Sequence, residues 1–366
     1  MRLVLHMIIF LLVFGPKFGF LDISLLSSSL IILTLGFKKS LNYKLILHPL
    51  LIILSLIFVY LSINSFRIDE EILYPIFRLV RAGFSCFSIY LITIKFQEAD
   101  FEKILINLIV INSLFVILQV IFPDLQALYG PISGFDKGGV PLRGFGFTSG
   151  YDTSGIISLI GLSLISGKKN FSKSDRLFFG IIFISLFFIS RLTLSIGVLI
   201  LIYLTYKKKA AIIFLITCII FSNVLFELLD PVISVLNEIN FRSSYNPQSG
   251  SILSKMFFFP ETSFELMFGT GRDVLDSDVG YIKIIFMYGV VGLLMAFIFY
   301  INILRQTYLN YNNKKSIIFI CAIFLIFNIK GLFLFSRSIH EILFLLYIYV
   351  NTKNYETQQS RNLRHL

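Results

Sequence analysis

The chain reads as all-α: a polytopic transmembrane helical bundle of about twelve spans, forming a single integral membrane domain over residues 1–366. Three observations carry this. Apolar residues make up 56% of the 366 and charged residues only 14%, against roughly 45–50% and about 25% in soluble domains. Stretches such as Leu45–Asn64 and Ser316–Phe335 stay almost uncharged over the ~20 residues that a bilayer-crossing helix needs. The charges collect in the connections, more on one side than on the other. This composition excludes a soluble enzyme and a soluble nucleic-acid-binding protein.

The run 3–15 follows Arg2 and has the look of a signal peptide. It lacks a small-x-small cleavage site and continues into more apolar sequence, so it is taken as the first span. Pro16 and Lys17 separate it from 20–36, which ends at Lys38 and Lys39. Next come 45–63, 73–94 (closed by Lys95), 104–122 (closed by Pro123) and 153–167. After a basic stretch, 177–190 and 192–206 flank Arg191 and could also form one broken pair. The last four, 210–228, 280–304, 316–335 and 338–350, are bounded by charged, Pro, Gly or Asn clusters.

Placing the N-terminus inside puts 19 of the 32 Lys and Arg residues in inner segments and nine in outer ones, although the outer segments are longer in total. The positive-inside rule therefore places both termini in the cytoplasm. Two outer loops are much longer than connections require, about 123–152 and 229–279. Such loops are where function concentrates.

Several chemistries have no residues to support them. The nearest approach to a phosphate loop, Gly161 to Lys169, has one residue too many and no hydroxyl after the lysine, so it is not a nucleotide site. The four histidines have no i,i+4 pair and the three cysteines no C-x-x-C spacing, so no metal site is expected. Asn170-Phe171-Ser172 matches a glycosylation acceptor but falls on the inner side. No internal repeat is visible, which weighs against transporters built from repeated halves.

What stands out is a set of cations assigned to the outer half. Arg143 lies among glycines in the first long loop, where the backbone can approach a phosphate-bearing lipid closely; an arginine snorkelling to headgroups would look the same. Arg191 sits alone in "FFISRLTLS" and could hold a diphosphate bidentately or simply anchor a turn. Arg78 and Arg81, spaced i,i+3, share a face of the fourth span about 9–14 Å from its outer end. At that depth they call for an anionic ligand or an acidic partner such as Glu70 or Glu71. Lys330 and Arg337 are seven apart and share a face if that segment stays helical, with interfacial anchoring as the other reading. Arg272 adds one more cation. Asp278, just before the tenth span, is either an N-cap or a group that positions an acceptor hydroxyl.

"PLRGFGFTSGYDTSG", "SRLTLSIGVLILIYL" and "FGTGRDVLDSDVGYIKIIFMYGVVGLL", with a dozen spans and two enlarged outer loops, resemble the Wzy-type O-antigen (oligosaccharide repeat unit) polymerases, within the wider O-antigen polymerase and ligase group. The ligases carry a histidine about eleven residues before a G-x-x-G turn. Here Asp278 precedes Gly289 by eleven residues, and Gly292 completes the turn. The acid at that position fits a polymerase better than a ligase.

The resemblance implies a GT-C-like membrane fold and glycosyl transfer at the periplasmic face of a bacterial inner membrane. The growing glycan would move from undecaprenyl diphosphate to the non-reducing sugar of an undecaprenyl-diphosphate-linked repeat unit. No metal or cofactor is implied, because the donor carries its own activation. In this reading Asp278, Arg143 and Arg191 are catalytic, with Arg143 and Arg191 on the donor diphosphate. Arg78, Arg81, Arg272, Lys330 and Arg337 support the diphosphates. Expected partners are the lipid-linked oligosaccharides, membrane lipids, a chain-length regulator and a flippase, and no nucleic acid. The alternatives are a lipid-linked oligosaccharide flippase, which gains nothing evident from two one-sided loops, and an O-antigen ligase.

Overall fold

Apolar runs of helical length become helices almost wherever the chain is described. The computed structural model describes residues 2–18, 21–36, 44–64, 70–133, 142–168, 170–205, 256–272, 277 and 279–363. Among these residues are thirteen helices: α1 (Arg2–Phe14), α2 (Ile23–Leu35), α3 (Lys44–Asn64), α4 (Glu70–Lys95), α5 (Phe101–Ile121), α6 (Pro123–Ser133), α7 (Tyr151–Ser166), α8 (Lys173–Phe187), α9 (Arg191–Thr205), α10 (Ser263–Phe268), α11 (Gly280–Asn310), α12 (Lys314–Lys330) and α13 (Ile339–Leu363). A two-residue hairpin, β1 (Lys17–Phe18) with β2 (Leu21–Asp22), joins α1 to α2.

Among the described residues, four stretches are long and apolar enough to cross a membrane: Leu45–Ser62, Pro75–Lys95, Phe101–Ile121 and Gly280–Asn310. Shorter apolar helices accompany them at Leu3–Phe14, Ile23–Leu35, Tyr151–Ser166 and Leu192–Ile202. This is the architecture of a helical membrane protein. On α3, Leu47, Leu51, Leu54, Phe58 and Leu61 are all exposed. Their spacing of three and four places them on one face, as a lipid-facing stripe requires.

Sequence and structure part at several boundaries. The first of the two long loops, 123–152, opens with α6, because Pro123 sits at the first helical position, where its missing N–H costs nothing. The region 177–206 resolves into two helices, α8 and α9, with Phe188–Ser190 between them. The span expected at 316–335 stops at Lys330, and Gly331 is extended with φ −164°. The segment 331–338 is therefore a strap, with left-handed Phe335 (φ 55°) and Ser338 (φ 69°). α13 runs well past the expected 350, because its polar last turns contain no Gly or Pro to stop them. The span expected at 210–228 and most of the second long loop lie outside the described residues.

Packing centres on two helices. α4 lies against α2, α3 and α13, while α7 lies against α5, α8, α9 and α12. Every residue of α7 from Thr153 to Ile165 is buried, and its Ser and Gly residues allow the close approach that helices make without bulky side chains. α11 is broken at Gly289, where φ is 71° and ψ −179°. The carbonyl of Phe286 is taken up by the N–H groups of Thr270 and Gly271 at 2.6 and 3.2 Å and by the Thr270 hydroxyl at 3.0 Å. A broken helix at membrane depth needs such substitute partners.

Candidate functional site: a buried arginine–carboxylate cluster

One end of the bundle gathers the start of α2, the strap 331–338, the first turn of α13 and one face of α4. On α4, Arg81 and Ser85 are one turn apart and reach the same carboxylate. Arg81 Nε stands 3.7 Å from Glu341 Oε1, and the Ser85 hydroxyl donates to that oxygen at 3.0 Å. Glu341 is fully buried. Arg81 Nη2 also donates to the Phe335 carbonyl at 3.4 Å. The charges of Arg78 and Arg337 both act on Arg81, as does Asp22.

Arg337 comes from the strap, with Nη2 3.6 Å from Asp22 Oδ1. Asp22 is also the N-cap of α2, accepting from the Ser24 N–H at 2.9 Å, the Ser24 hydroxyl at 2.6 Å and the Leu25 N–H at 3.4 Å. Burial raises its pKa, but Arg337, the Ser24 hydroxyl and Arg81 outweigh this and hold the carboxyl below the usual carboxylate range. Tyr129 of α6 lies close enough to feel Arg337. Burial pushes its phenol up to about 12.

Among the described side chains, Arg81 and Arg337 thus face Asp22 and Glu341, with Arg78 nearby, in a low-dielectric setting where charges are costly and mark functional sites. Among the described residues, buried polar atoms of the cluster without a hydrogen-bond partner include Arg81 Nε, Arg337 Nη2, Ser336 Oγ and Glu341 Oε2. Buried polar groups are almost always satisfied, and each exception costs about 1–3 kcal/mol.

The strap is held at both ends. The Phe333 N–H donates to Asn328 Oδ1 at 3.2 Å, and the Ser338 hydroxyl to the Val13 carbonyl at 2.7 Å. In the middle, the Phe335 N–H donates to the Tyr300 hydroxyl oxygen at 2.7 Å.

The structure brings Arg78, Arg81 and Arg337 of the expected cations together and supplies acids that the sequence reading did not choose. Arg81 pairs with Glu341; the side chains of Glu70 and Glu71 are outside those described. The shared helical face expected for Lys330 and Arg337 is not there, because the strap between them is not helical. Lys330 and Arg191 are described through the backbone alone, with Arg191 opening α9. Asp278 lies outside the described residues.

Arg143 is exposed on a loop that is built rather than loose. Gln119 Oε1 of α5 accepts from the N–H groups of Phe145 and Gly146, both at 2.9 Å, and its Nε2 donates to the Gly146 carbonyl at 3.1 Å. Asn112 Oδ1 accepts from the Phe147 N–H at 2.8 Å. Gly146 has φ 62°, and a Cβ there would overlap the Asn112 amide. The Gln126 side chain donates to the Arg143 carbonyl, and the guanidinium carbon of Arg143 lies 5.7 Å from the Tyr151 ring centroid. Arg272 is exposed beside the break in α11, its N–H donating to the Thr270 hydroxyl at 3.4 Å.

Asp22, Glu341, Tyr300 and His340 escaped the sequence reading. Glu341 left one signal, being an acid within an apolar run. No family model matches the chain, and no curated protein sequence does.

Proposed function

We propose that the protein is a polymerase of lipid-linked oligosaccharide repeat units, of the Wzy type. It would move the growing glycan from undecaprenyl diphosphate to the non-reducing sugar of a second lipid-linked unit. The observation that carries this is the buried cluster of Arg81, Arg337, Asp22 and Glu341, in which the donors Arg81 Nε, Arg337 Nη2 and Ser336 Oγ have no hydrogen bond. An anion with several acceptor oxygens, such as a lipid diphosphate, suits such a site.

In this proposal about twelve spans form a GT-C-like bundle in a bacterial inner membrane, with both termini cytoplasmic and the cluster facing the periplasm. Arg143 and Arg191 hold the donor diphosphate. Arg78, Arg81, Arg272, Lys330 and Arg337 support it or the second lipid. Asp278 orients the attacking hydroxyl of the acceptor sugar. The hydroxyl oxygen attacks the anomeric carbon, the bond to the diphosphate oxygen breaks, and the hydroxyl proton leaves to a base or water. The arginines offset the charge that grows on the departing diphosphate. The donor supplies the activation, so no nucleotide, cofactor or metal takes part. A chain-length regulator and a flippase are the proposed partners.

The test is the lipopolysaccharide banding of a host lacking the gene, beside strains restored with wild type, Arg143→Ala or Arg191→Ala at matched expression. Core carrying one repeat unit in the deletion, and in both variants, is expected. Bare core with long polymer left on the carrier would indicate a ligase, and bare core with single units trapped inside a flippase. An unchanged ladder would overturn the reading.

A further inference from the structure

Resting on the reading of the cluster as a diphosphate site, we propose that Asp22 is a resident counter-ion that an incoming diphosphate displaces from Arg337 and Arg81. The two ion pairs of the cluster differ in a way that singles out Asp22. Glu341 has no exposed surface, whereas the Asp22 and Arg337 side chains keep 15% and 11% of theirs. Arg81 keeps 14% as well, so both arginines are partly reachable and, of the two carboxylates, only Asp22 lies where an incoming anion can meet it.

That pair is loose for a structural reason. Asp22 Oδ1 already accepts from Ser24 N, Ser24 Oγ and Leu25 N, so its hydrogen-bonding capacity is spent on the α2 cap. Arg337 Nη2, at 3.6 Å, receives charge balance without a hydrogen bond. Asp22 acts on Arg81 as well, so one carboxylate partly neutralises two arginines and binds neither guanidinium in the bidentate manner that arginine favours.

A phosphate group brings acceptor oxygens to both guanidinium groups, and Ser336 Oγ, next to Arg337, offers a third donor without a partner. The cap keeps Asp22 in place once its cation is taken, so α2 stays folded through the exchange. With no ligand bound, the same carboxylate keeps the arginines from facing one another uncompensated.

Asp22→Asn separates the two roles of this residue, because asparagine caps a helix as well as aspartate does but carries no charge. Full-length protein in detergent micelles at low salt would be titrated with inorganic pyrophosphate and, separately, with farnesyl diphosphate. Asp22→Asn is expected to bind about three- to fivefold tighter than wild type, the range set by ion pairs of modest strength. Arg337→Gln is expected to lose most of the binding. A gain with both probes means that the diphosphate group suffices; a gain with farnesyl diphosphate alone means that the lipid-borne form is the ligand. Either supports the exchange. Equal affinity in Asp22→Asn and wild type, or no binding by wild type, overturns it. The titration needs no polymerisation, so the banding profile judges the polymerase reading separately.

Discussion

Tyr300 joins His340 to Phe335 through one hydroxyl group. Its oxygen lies 3.1 Å from His340 Nδ1 and accepts the Phe335 N–H at 2.7 Å. His340 Nε2 lies 3.3 Å from the Ala82 carbonyl, which can only accept, so the proton is on Nε2. Nδ1 then accepts from the Tyr300 O–H, and the imidazole is neutral. A side chain of α11 thereby fixes the left-handed residue in the strap that carries Ser336 and Arg337.

Tyr300→Phe removes one hydroxyl and strands two buried groups, the Phe335 N–H and His340 Nδ1. At about 1–3 kcal/mol for each, the variant is expected to lose a few kcal/mol. Its thermal midpoint in detergent should fall and its ladder shorten at matched expression. An unchanged midpoint would show that the strap holds without this bond.

Glu341→Gln still accepts the Ser85 hydroxyl but removes the charge paired with Arg81. Breaking a buried pair from one side costs about 3–5 kcal/mol, whereas replacing both partners by apolar residues is often neutral. Arg81→Met combined with Glu341→Met should therefore melt near wild type, while Glu341→Gln alone melts far lower. The double variant is expected to make no polymer. A normal ladder from it would remove the cluster from the mechanism.

At the start of α8, Lys168 Nζ donates to Asp175 Oδ1 at 2.6 Å, while Asp175 Oδ2 accepts from the Ser172 hydroxyl and N–H at 2.6 and 3.0 Å. Burial works against the charged form, but Lys168 and Ser172 prevail and hold the carboxyl below its usual range. A depressed folded-state pKa gives stability that is complete above the unfolded value near 3.9. That stability drains away as pH falls through the lower, folded value. A pH titration of the melting midpoint should show this loss below about pH 4, and Asp175→Asn should reduce it.

Gly289 and Gly83 make a controlled pair. An alanine Cβ at Gly289 (φ 71°) would overlap the Met267 carbonyl, whereas at Gly83 it meets only Ile53 Cγ2 at 3.7 Å and Leu50 Cδ2 at 3.9 Å. Gly83→Ala should accumulate and melt like wild type or slightly above it. Gly289→Ala should accumulate poorly. Equal yields would mean that α11 can straighten without harm.

The helices were legible because a bilayer-sized apolar run leaves little else for the chain to do. The shared face of Arg78 and Arg81 followed from their spacing alone. The acids around Arg81 did not, since Asp22 and Glu341 are far away in the chain and nothing local marks them as neighbours. The strap was misread for a different reason. Residues 331–335 are as apolar as the helix before them, and the left-handed turns at Phe335 and Ser338 have no glycine to announce them. The hold of Gln119 and Asn112 on the Arg143 loop was equally hidden, because a buried amide inside an apolar helix does not say which backbone it serves.

The break in α11 also bears on how the protein is made. The groups that complete the Phe286 carbonyl come from Thr270 and Gly271, which leave the ribosome before α11 does. The first half of α11 would enter lipid with an unsatisfied carbonyl unless that preceding segment were already waiting beside it. Insertion of this helix is therefore a paired event, and shifting residues 269–271 relative to Gly289 by even a short insertion should trap the chain at the translocon rather than merely weaken the finished bundle.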